Sequence, residues 1–74
     1  MAQDARGVSI RDESIRLGQF LKLANLIDAG SDAKSAIADG DVTVNGDVEL
    51  RRGRQLHVGD TVSFAGQAVR VTGW

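Results

Sequence analysis

The segment that most constrains the fold is 40–48, in which glycine begins a run of alternating valines and Asn45-Gly46 interrupts it. An Asn-Gly dipeptide in this setting is the strongest short-range hairpin signal, because a two-residue type I′ turn needs positive φ at both central positions. The hairpin is followed at once by Arg51-Arg52-Gly53-Arg54, in a chain whose net charge is only −1. Guanidinium groups on a rigid β scaffold suit phosphate recognition, since each presents a planar fork of donors.

Composition excludes several classes of protein. Seventy-four residues form one domain near the lower size limit for a core without covalent staples. Without cysteine and with one histidine, His57, we expect no disulfide, no metal and no cofactor. No apolar run approaches the ~20 residues that span a bilayer, and the acid-containing N-terminus does not resemble a signal peptide. We therefore expect a cytoplasmic protein with no membrane partner. A monomer is also expected.

The distribution of charge is more informative than its sum. A net charge of −1 argues against a polycation that coats nucleic acid through bulk charge. Acids concentrate around the predicted second helix, at Asp28, Asp32, Asp39 and Asp41. If the fold brings the separated bases together, one face of the molecule is positive. Those bases are Arg16, Lys22, Lys34, Arg51, Arg52 and Arg54.

Periodicity predicts two helices followed by a run of strands. Residues 1–7 are predicted to be a disordered lead-in and 8–74 a single domain. The spacing of Leu17, Phe20, Leu21 and Ala24 predicts an amphipathic helix. Ser31 is the expected N-cap of a second helix that ends at Gly40. Predicted strands cover 8–11, 42–44, 47–49, 55–58, 61–64 and 68–71.

These elements predict an α+β fold: two short helices packed on a small, mostly antiparallel sheet of four to five short strands. The predicted core is apolar and drawn from both helices and the strands. Its members are Leu17, Phe20, Leu21, Ala24, Leu26, Ile27, Ala33, Ala36, Ile37, Val42, Val44, Leu56, Val58, Val62, Phe64, Val69 and Val71.

The arginine cluster alone allows three interpretations. It can contact phosphate or RNA, protect a sheet edge against aggregation, or meet a protein partner. Lys34 gives a second hint, because a lysine at the third position of a helix capped by Ser31 opposes the helix dipole unless an anion binds there. Ser31 and Lys34 also match the Ser-x-x-Lys acylation motif, but the companion motifs are absent and we predict no enzyme.

The order of these motifs resembles a known family. Two helices, then Gly40-x-Val42-x-Val44-Asn45-Gly46, then Gly59-Asp60, resemble the RNA-binding domain named after ribosomal protein S-four, with its αL motif. The segments 17–22 (Leu-Gly-Gln-Phe-Leu-Lys) and 51–54 are similar to those of small bacterial stand-alone members. The resemblance covers about residues 12–72, nearly the whole chain.

The resemblance implies binding of structured RNA, either ribosomal or transfer RNA or a ribosomal particle, through a groove between the helix pair and the hairpin. The residues carried over as RNA contacts are Arg16, Lys22, Lys34, Arg51, Arg52 and Arg54. Many members have Ser-Arg before the second helix, where this chain has Ala29-Gly30, so one expected contact is missing. Six contacts to single-strand phosphates would give a log-affinity slope of roughly −4 against log salt. The alternative is a small protein-interaction module that uses an exposed strand or the arginine patch.

Overall fold

The computed structural model describes residues 6–28 and 30–73. Their helices are α1, Leu17–Leu23, and α2, Gly30–Ala38. Their strands are β1 Arg6–Ser9, β2 Ser14–Arg16, β3 Val42–Val44, β4 Asp47–Val48, β5 Gln55–His57, β6 Thr61–Phe64 and β7 Gln67–Thr72.

The predicted α+β architecture is confirmed. Five strands form one sheet in the order β1-β7-β6-β3-β4, with β1 parallel to β7 and every other neighbouring pair antiparallel. Strands β2 and β5 form a separate antiparallel ladder. This second ladder lies next to α1 in the chain, because β2 ends at Arg16 and α1 begins at Leu17.

The predicted hairpin turn has the expected backbone. Asn45 and Gly46 have φ values of 53° and 90°, and Val44 pairs with Asp47 across a two-residue loop. The ends of both helices are closed by left-handed residues, as in the Schellman motif. Asn25 has φ 61° after α1, and Gly40 has φ 79° after α2.

The core lies between the helices and the five-stranded sheet. Phe20 and Leu21 from α1 are fully buried with Ile37 from α2 and with valines from β3, β6 and β7. The prediction of Val58 as a core residue was wrong, since its exposed fraction is 58%. Strand β5 ends at His57 and the chain turns before Val58 can continue the inward alternation. Ile10, which was not predicted, is buried and extends the β1–β7 pairing by donating its N–H to the Thr72 carbonyl.

Two predicted boundaries need correction. The second helix begins at Gly30, so Ser31 is its second residue and not the cap that precedes it. The first strand begins at Arg6, so Arg6 and Gly7 pair with β7 and do not belong to a disordered lead-in. The Arg6 guanidinium also donates to the carbonyl of Ala24, just past the end of α1. The rest of the predicted lead-in, residues 1–5, lies outside the described residues.

Candidate nucleic-acid interface

The arginine-rich segment 51–54 is a loop whose backbone docks on the start of α1. The loop closes on itself through the Arg54 N–H and the Arg51 carbonyl, 3.2 Å apart. The N–H groups of Leu17 and Gly18 then donate to the carbonyls of Arg54 and Arg52, at 2.8 and 3.1 Å. The first N–H groups of a helix have no hydrogen-bond acceptor within the helix, and here the two loop carbonyls act as acceptors. We refer to residues 51–54 as the arginine loop.

Gly18 allows the arginine loop to approach α1 closely. A Cβ atom added at Gly18 would lie 2.8 Å from Cγ of Arg52, which is closer than such atoms can stand. A glycine in a helix normally costs about 1 kcal/mol relative to alanine, so its presence in the first turn calls for a reason. The reason is space for the Arg52 side chain.

A groove opens where α1, α2 and the arginine loop meet. Its volume is about 530 Å³, and three cations line it: Arg16 from β2, Lys22 from α1 and Arg52 from the loop. The other described residues of the wall are neutral: Gly18, Gln19, Ala33 and Gly53. We call this the basic groove. Among the described residues that line the groove there is no carboxylate, so the three positive charges have no counterion among these side chains.

The other two loop arginines serve a buried acid. Glu49 is only 6% exposed. Its Oε2 accepts hydrogen bonds from the backbone N–H and Nε of Arg51, each at 3.0 Å. Its Oε1 accepts from Nη1 of Arg54 at 2.9 Å. The bonds from Arg51 and then Arg54 outweigh the effect of burial and lower the pKa of Glu49 from 4.5 to about 2.

The six predicted RNA contacts therefore fall into groups. Three of them line the basic groove and two hold Glu49. Lys34 is exposed on α2, next in the chain to Ala33 of the groove wall. Since α2 begins at Gly30, Lys34 is the fifth helical residue, and the dipole argument that drew attention to it is weaker than predicted.

Sequence reasoning missed Glu49, Gly18 and Gln19 as parts of this region. The sequence carried no signal for Glu49. Alternation in the predicted strand 47–49 would place the apolar Val48 inward and Glu49 outward, whereas the structure exposes Val48 and buries Glu49.

A second set of bonds joins the two turns that carry the family motifs. Nδ2 of Asn45 donates to Oδ1 of Asp60 at 3.0 Å, and Oδ1 of Asn45 accepts the Thr61 N–H at 2.9 Å. Burial disfavours the Asp60 carboxylate, but the His57 N–H and the Asn45 amide outweigh it and lower the pKa of Asp60. The motifs Val-Asn-Gly and Gly-Asp therefore belong to one structural unit.

Residues 6–28 and 30–73 hold no cluster of three or more histidines or acids that is arranged to bind a metal ion. Neither helix in that part of the chain has the length and apolar character that crossing a membrane requires.

The helix pair and the mostly antiparallel sheet together define a class, the α+β domains with an αL motif. A family model described as the S4 domain matches residues 8–72, and the chain belongs to this family. The family predicted from the sequence is thereby confirmed.

Bacterial relatives of the chain include two proteins whose names bear on its function. It is 48% identical over 62 residues to the probable ribosome maturation protein RlbA of Bacillus subtilis strain 168, covering 84% of this chain and 87% of that protein. It is 46% identical over 57 residues to the putative RNA-binding protein YbcJ of Escherichia coli strain K12, covering 77% of this chain and 81% of that protein.

The solution structure of YbcJ from E. coli, described as revealing an αL motif involved in RNA binding, superposes with a TM-score of 0.71. That match has 37% identity and covers 97% of this chain and 92% of the other. Ribosomal protein S4e of Thermoplasma acidophilum superposes with a TM-score of 0.62 at 23% identity, over 81% of this chain and 32% of that one. This last similarity concerns the fold alone.

Proposed function

We propose that this chain binds structured RNA without catalysing a reaction, and that RNA phosphates occupy the basic groove. The observation that carries the proposal is the meeting of Arg16, Lys22 and Arg52, which come from three separate segments. None of the other residues in the described part of the groove wall carries a carboxylate. Guanidinium and ammonium groups held in this way bind phosphate without reading base sequence. Recognition then depends on the shape of the RNA and the spacing of its phosphates.

The names of the relatives support this choice of ligand. YbcJ is called a putative RNA-binding protein and RlbA a probable ribosome maturation protein. We therefore take ribosomal or transfer RNA, met on or near ribosomal particles in the cytoplasm, as the ligand class, with the protein acting as a monomer.

The remaining predicted contacts are assigned supporting positions. Lys34 flanks the basic groove on α2 and can reach a phosphate that runs past it. Arg51 has a side chain 77% exposed although it is bound to Glu49, so part of its guanidinium remains available to RNA. Arg54 is less exposed, at 33%, and acts mainly through the loop it holds.

Charge counting sets the expected strength of binding. Three groove cations correspond to a log-affinity slope of roughly −2 against log salt, using ~0.7 per single-strand contact. Contact by all six predicted cations would raise the slope to roughly −4. The measured slope therefore distinguishes a three-cation interface from a six-cation one.

The test compares Arg52→Gln with a matched control, Arg70→Gln. Arg70 is exposed on β7 between two buried valines, so it projects from the sheet face opposite the helices. Each variant loses one guanidinium, but only Arg52 belongs to the basic groove. Fluorescence anisotropy with a labelled transfer RNA transcript and a labelled helical fragment of ribosomal RNA, from 50 to 200 mM salt, gives affinity and slope.

We expect the Arg52 variant to bind more weakly, with a slope smaller by ~0.7 to 0.9, and the Arg70 variant to bind nearly as the wild type does. Equal losses in the two variants would mean that only total charge matters and would remove the groove assignment. A wild-type chain that binds neither RNA would refute the proposed function.

A protein-interaction role remains the second candidate, because one sheet edge has exposed apolar side chains. Val48 on the edge strand β4 is 59% exposed, and Leu50 beyond it is 61% exposed. Replacing both with serine should leave RNA binding intact. Binding to a protein partner through this edge would persist at high salt, where RNA binding weakens.

A further inference from the structure

We infer that Glu49 is a positioning residue for RNA binding: its buried carboxylate holds the arginine loop in the shape that directs Arg52 into the basic groove. The inference rests on the proposed function, since it concerns how the same groove is built. Glu49 is not among the residues that line the groove, so a positioning effect on RNA must act through the loop.

The carboxylate holds both ends of the loop at once. It binds the backbone and side chain of Arg51, the first loop residue, and the side chain of Arg54, the last. Glu49 is in turn fixed to the sheet, because its N–H donates to the carbonyl of Val42 at 3.0 Å. The position of the loop is thereby fixed relative to β3.

The opposite side of the loop is fixed to α1. The carbonyls of Arg52 and Arg54 accept the N–H groups of Gly18 and Leu17. Arg52 packs where Gly18 leaves room, and both residues line the groove. A continuous set of contacts therefore runs from Glu49 through the loop ends to Arg52.

An anion is needed at this position. Two guanidinium groups converge on Glu49, and without a negative charge between them they would repel each other. A glutamine has nearly the same shape, but its NH₂ group cannot accept a hydrogen bond from an arginine. The low pKa of Glu49 keeps the anchor charged throughout the neutral range.

Positioning and bulk electrostatics predict opposite effects of Glu49→Gln on RNA affinity. Glu49→Gln removes a negative charge beside the basic groove, so charge counting predicts tighter RNA binding. Positioning predicts weaker binding, because the loop loses its anchor. Glu13→Gln is the matched control, as Glu13 is exposed and undergoes the same chemical change.

The experiment measures binding of the labelled transfer RNA transcript by wild type, Glu49→Gln and Glu13→Gln between 50 and 200 mM salt. We expect Glu49→Gln to lose roughly fivefold in affinity, the worth of about one net hydrogen bond. Its slope should fall by ~0.7 to 0.9, and Glu13→Gln should bind as tightly as the wild type or more tightly. The slope is decisive because partial unfolding lowers the active fraction without changing the number of phosphates contacted.

Amide hydrogen exchange gives a readout independent of RNA. In Glu49→Gln the amides of Leu17 and Gly18 should exchange faster, while the Val71 amide, bonded to the Asp60 carbonyl, should not change. If the wild type does not bind RNA, the proposed function fails and this exchange pattern still tests the anchor. If Glu49→Gln matches Glu13→Gln in affinity and slope, the inference is overturned.

A second variant covers the case in which Glu49→Gln does not fold. Arg54→Lys keeps the net charge and leaves Glu49 a partner, but a lysine cannot reproduce the guanidinium geometry. It should bind the transcript more weakly than its control, Arg70→Lys. Equal binding by these two variants overturns the inference as well.

Discussion

Replacing Gly18 with alanine is expected to weaken RNA binding while changing stability little. Alanine is favoured over glycine in a helix interior by up to about 1 kcal/mol. The new Cβ would stand 2.8 Å from Cγ and 3.5 Å from Cδ of Arg52. Arg52 is exposed, so its side chain can move away, and an off-rotamer position would cost about 0.5 to 1.5 kcal/mol. The two effects oppose each other, so the free energy of unfolding should stay within about 1 kcal/mol of wild type.

RNA binding should weaken in Gly18→Ala because the new methyl group displaces the Arg52 side chain. The Arg52 carbonyl is 3.7 Å from the new Cβ, an ordinary contact, so the loop backbone and its bond to the Gly18 N–H can stay. The side chain, however, must leave the position it holds in the basic groove. We expect the salt slope to fall by ~0.7 to 0.9 and the affinity to fall roughly fivefold. Anisotropy titrations and thermal unfolding of the same samples measure both quantities.

A double-mutant cycle with Arg52→Ala separates this mechanism from others. Arg52→Ala removes Cγ and Cδ, so in that background the added methyl group at Gly18 meets no side chain. Gly18→Ala should then have no further effect on RNA affinity, and the coupling energy should equal its whole effect, about 1 kcal/mol. An equal loss in both backgrounds, or no loss in the wild-type background, would refute the assignment of Arg52 to the groove.

Three further predictions concern stability. Wild-type stability should fall as the pH drops from about 5 to 2. The pKa of Glu49 is ordinarily 4.5 and is about 2 in the fold, so the ionised carboxylate stabilises the folded state above this pH range and protonation removes that stabilisation. Glu49→Gln should show a shallower fall in thermal scans, and parallel curves would contradict the ion-pair account. Asn45→Ala should cost about 1 to 3 kcal/mol in urea unfolding, since it removes the bond to Asp60 and strains a φ of 53°. Asn45→Gly, which relieves the strain, should cost less, and an equal cost would assign the whole effect to the bond. Val58→Ser should change stability by less than about 0.5 kcal/mol and Val62→Ser by more than about 2 kcal/mol, and the reverse order would contradict the observed burial.

Local signals in the sequence were sufficient for most of the secondary structure. Asn45-Gly46 predicted a turn that needs two positive φ values, and Gly40 predicted a helix end that needs one. What local signals could not supply was the pairing of distant segments. Residues 55–58 were predicted as a strand, but the partner of this strand at 14–16 is too short to show alternation. The prediction of Val58 as a core residue was wrong for a related reason: periodicity does not show where a strand ends and the chain turns.

The candidate site was predictable as a set of residues but not as an arrangement. Arg16, Lys22 and Arg52 were among the six predicted contacts, and the structure brings these three to one groove. Their separation from Arg51 and Arg54 depends on the burial of Glu49, which is decided by packing around β4 and not by residue type. A pattern of charges in the sequence identifies candidate RNA-binding residues. Only the fold shows which of these charges are already paired with a counterion.

The parallel pairing of β1 with β7 has a consequence for the order in which the molecule is made. Arg6 pairs with Val69, and Ser9 lies beside Thr72 at a sequence separation of 63 residues. Contacts of such long range form slowly, because the intervening chain must be closed into a loop first. During synthesis on a ribosome, β1 therefore cannot pair until β7 has left the exit tunnel. The five-stranded sheet is completed only at that point.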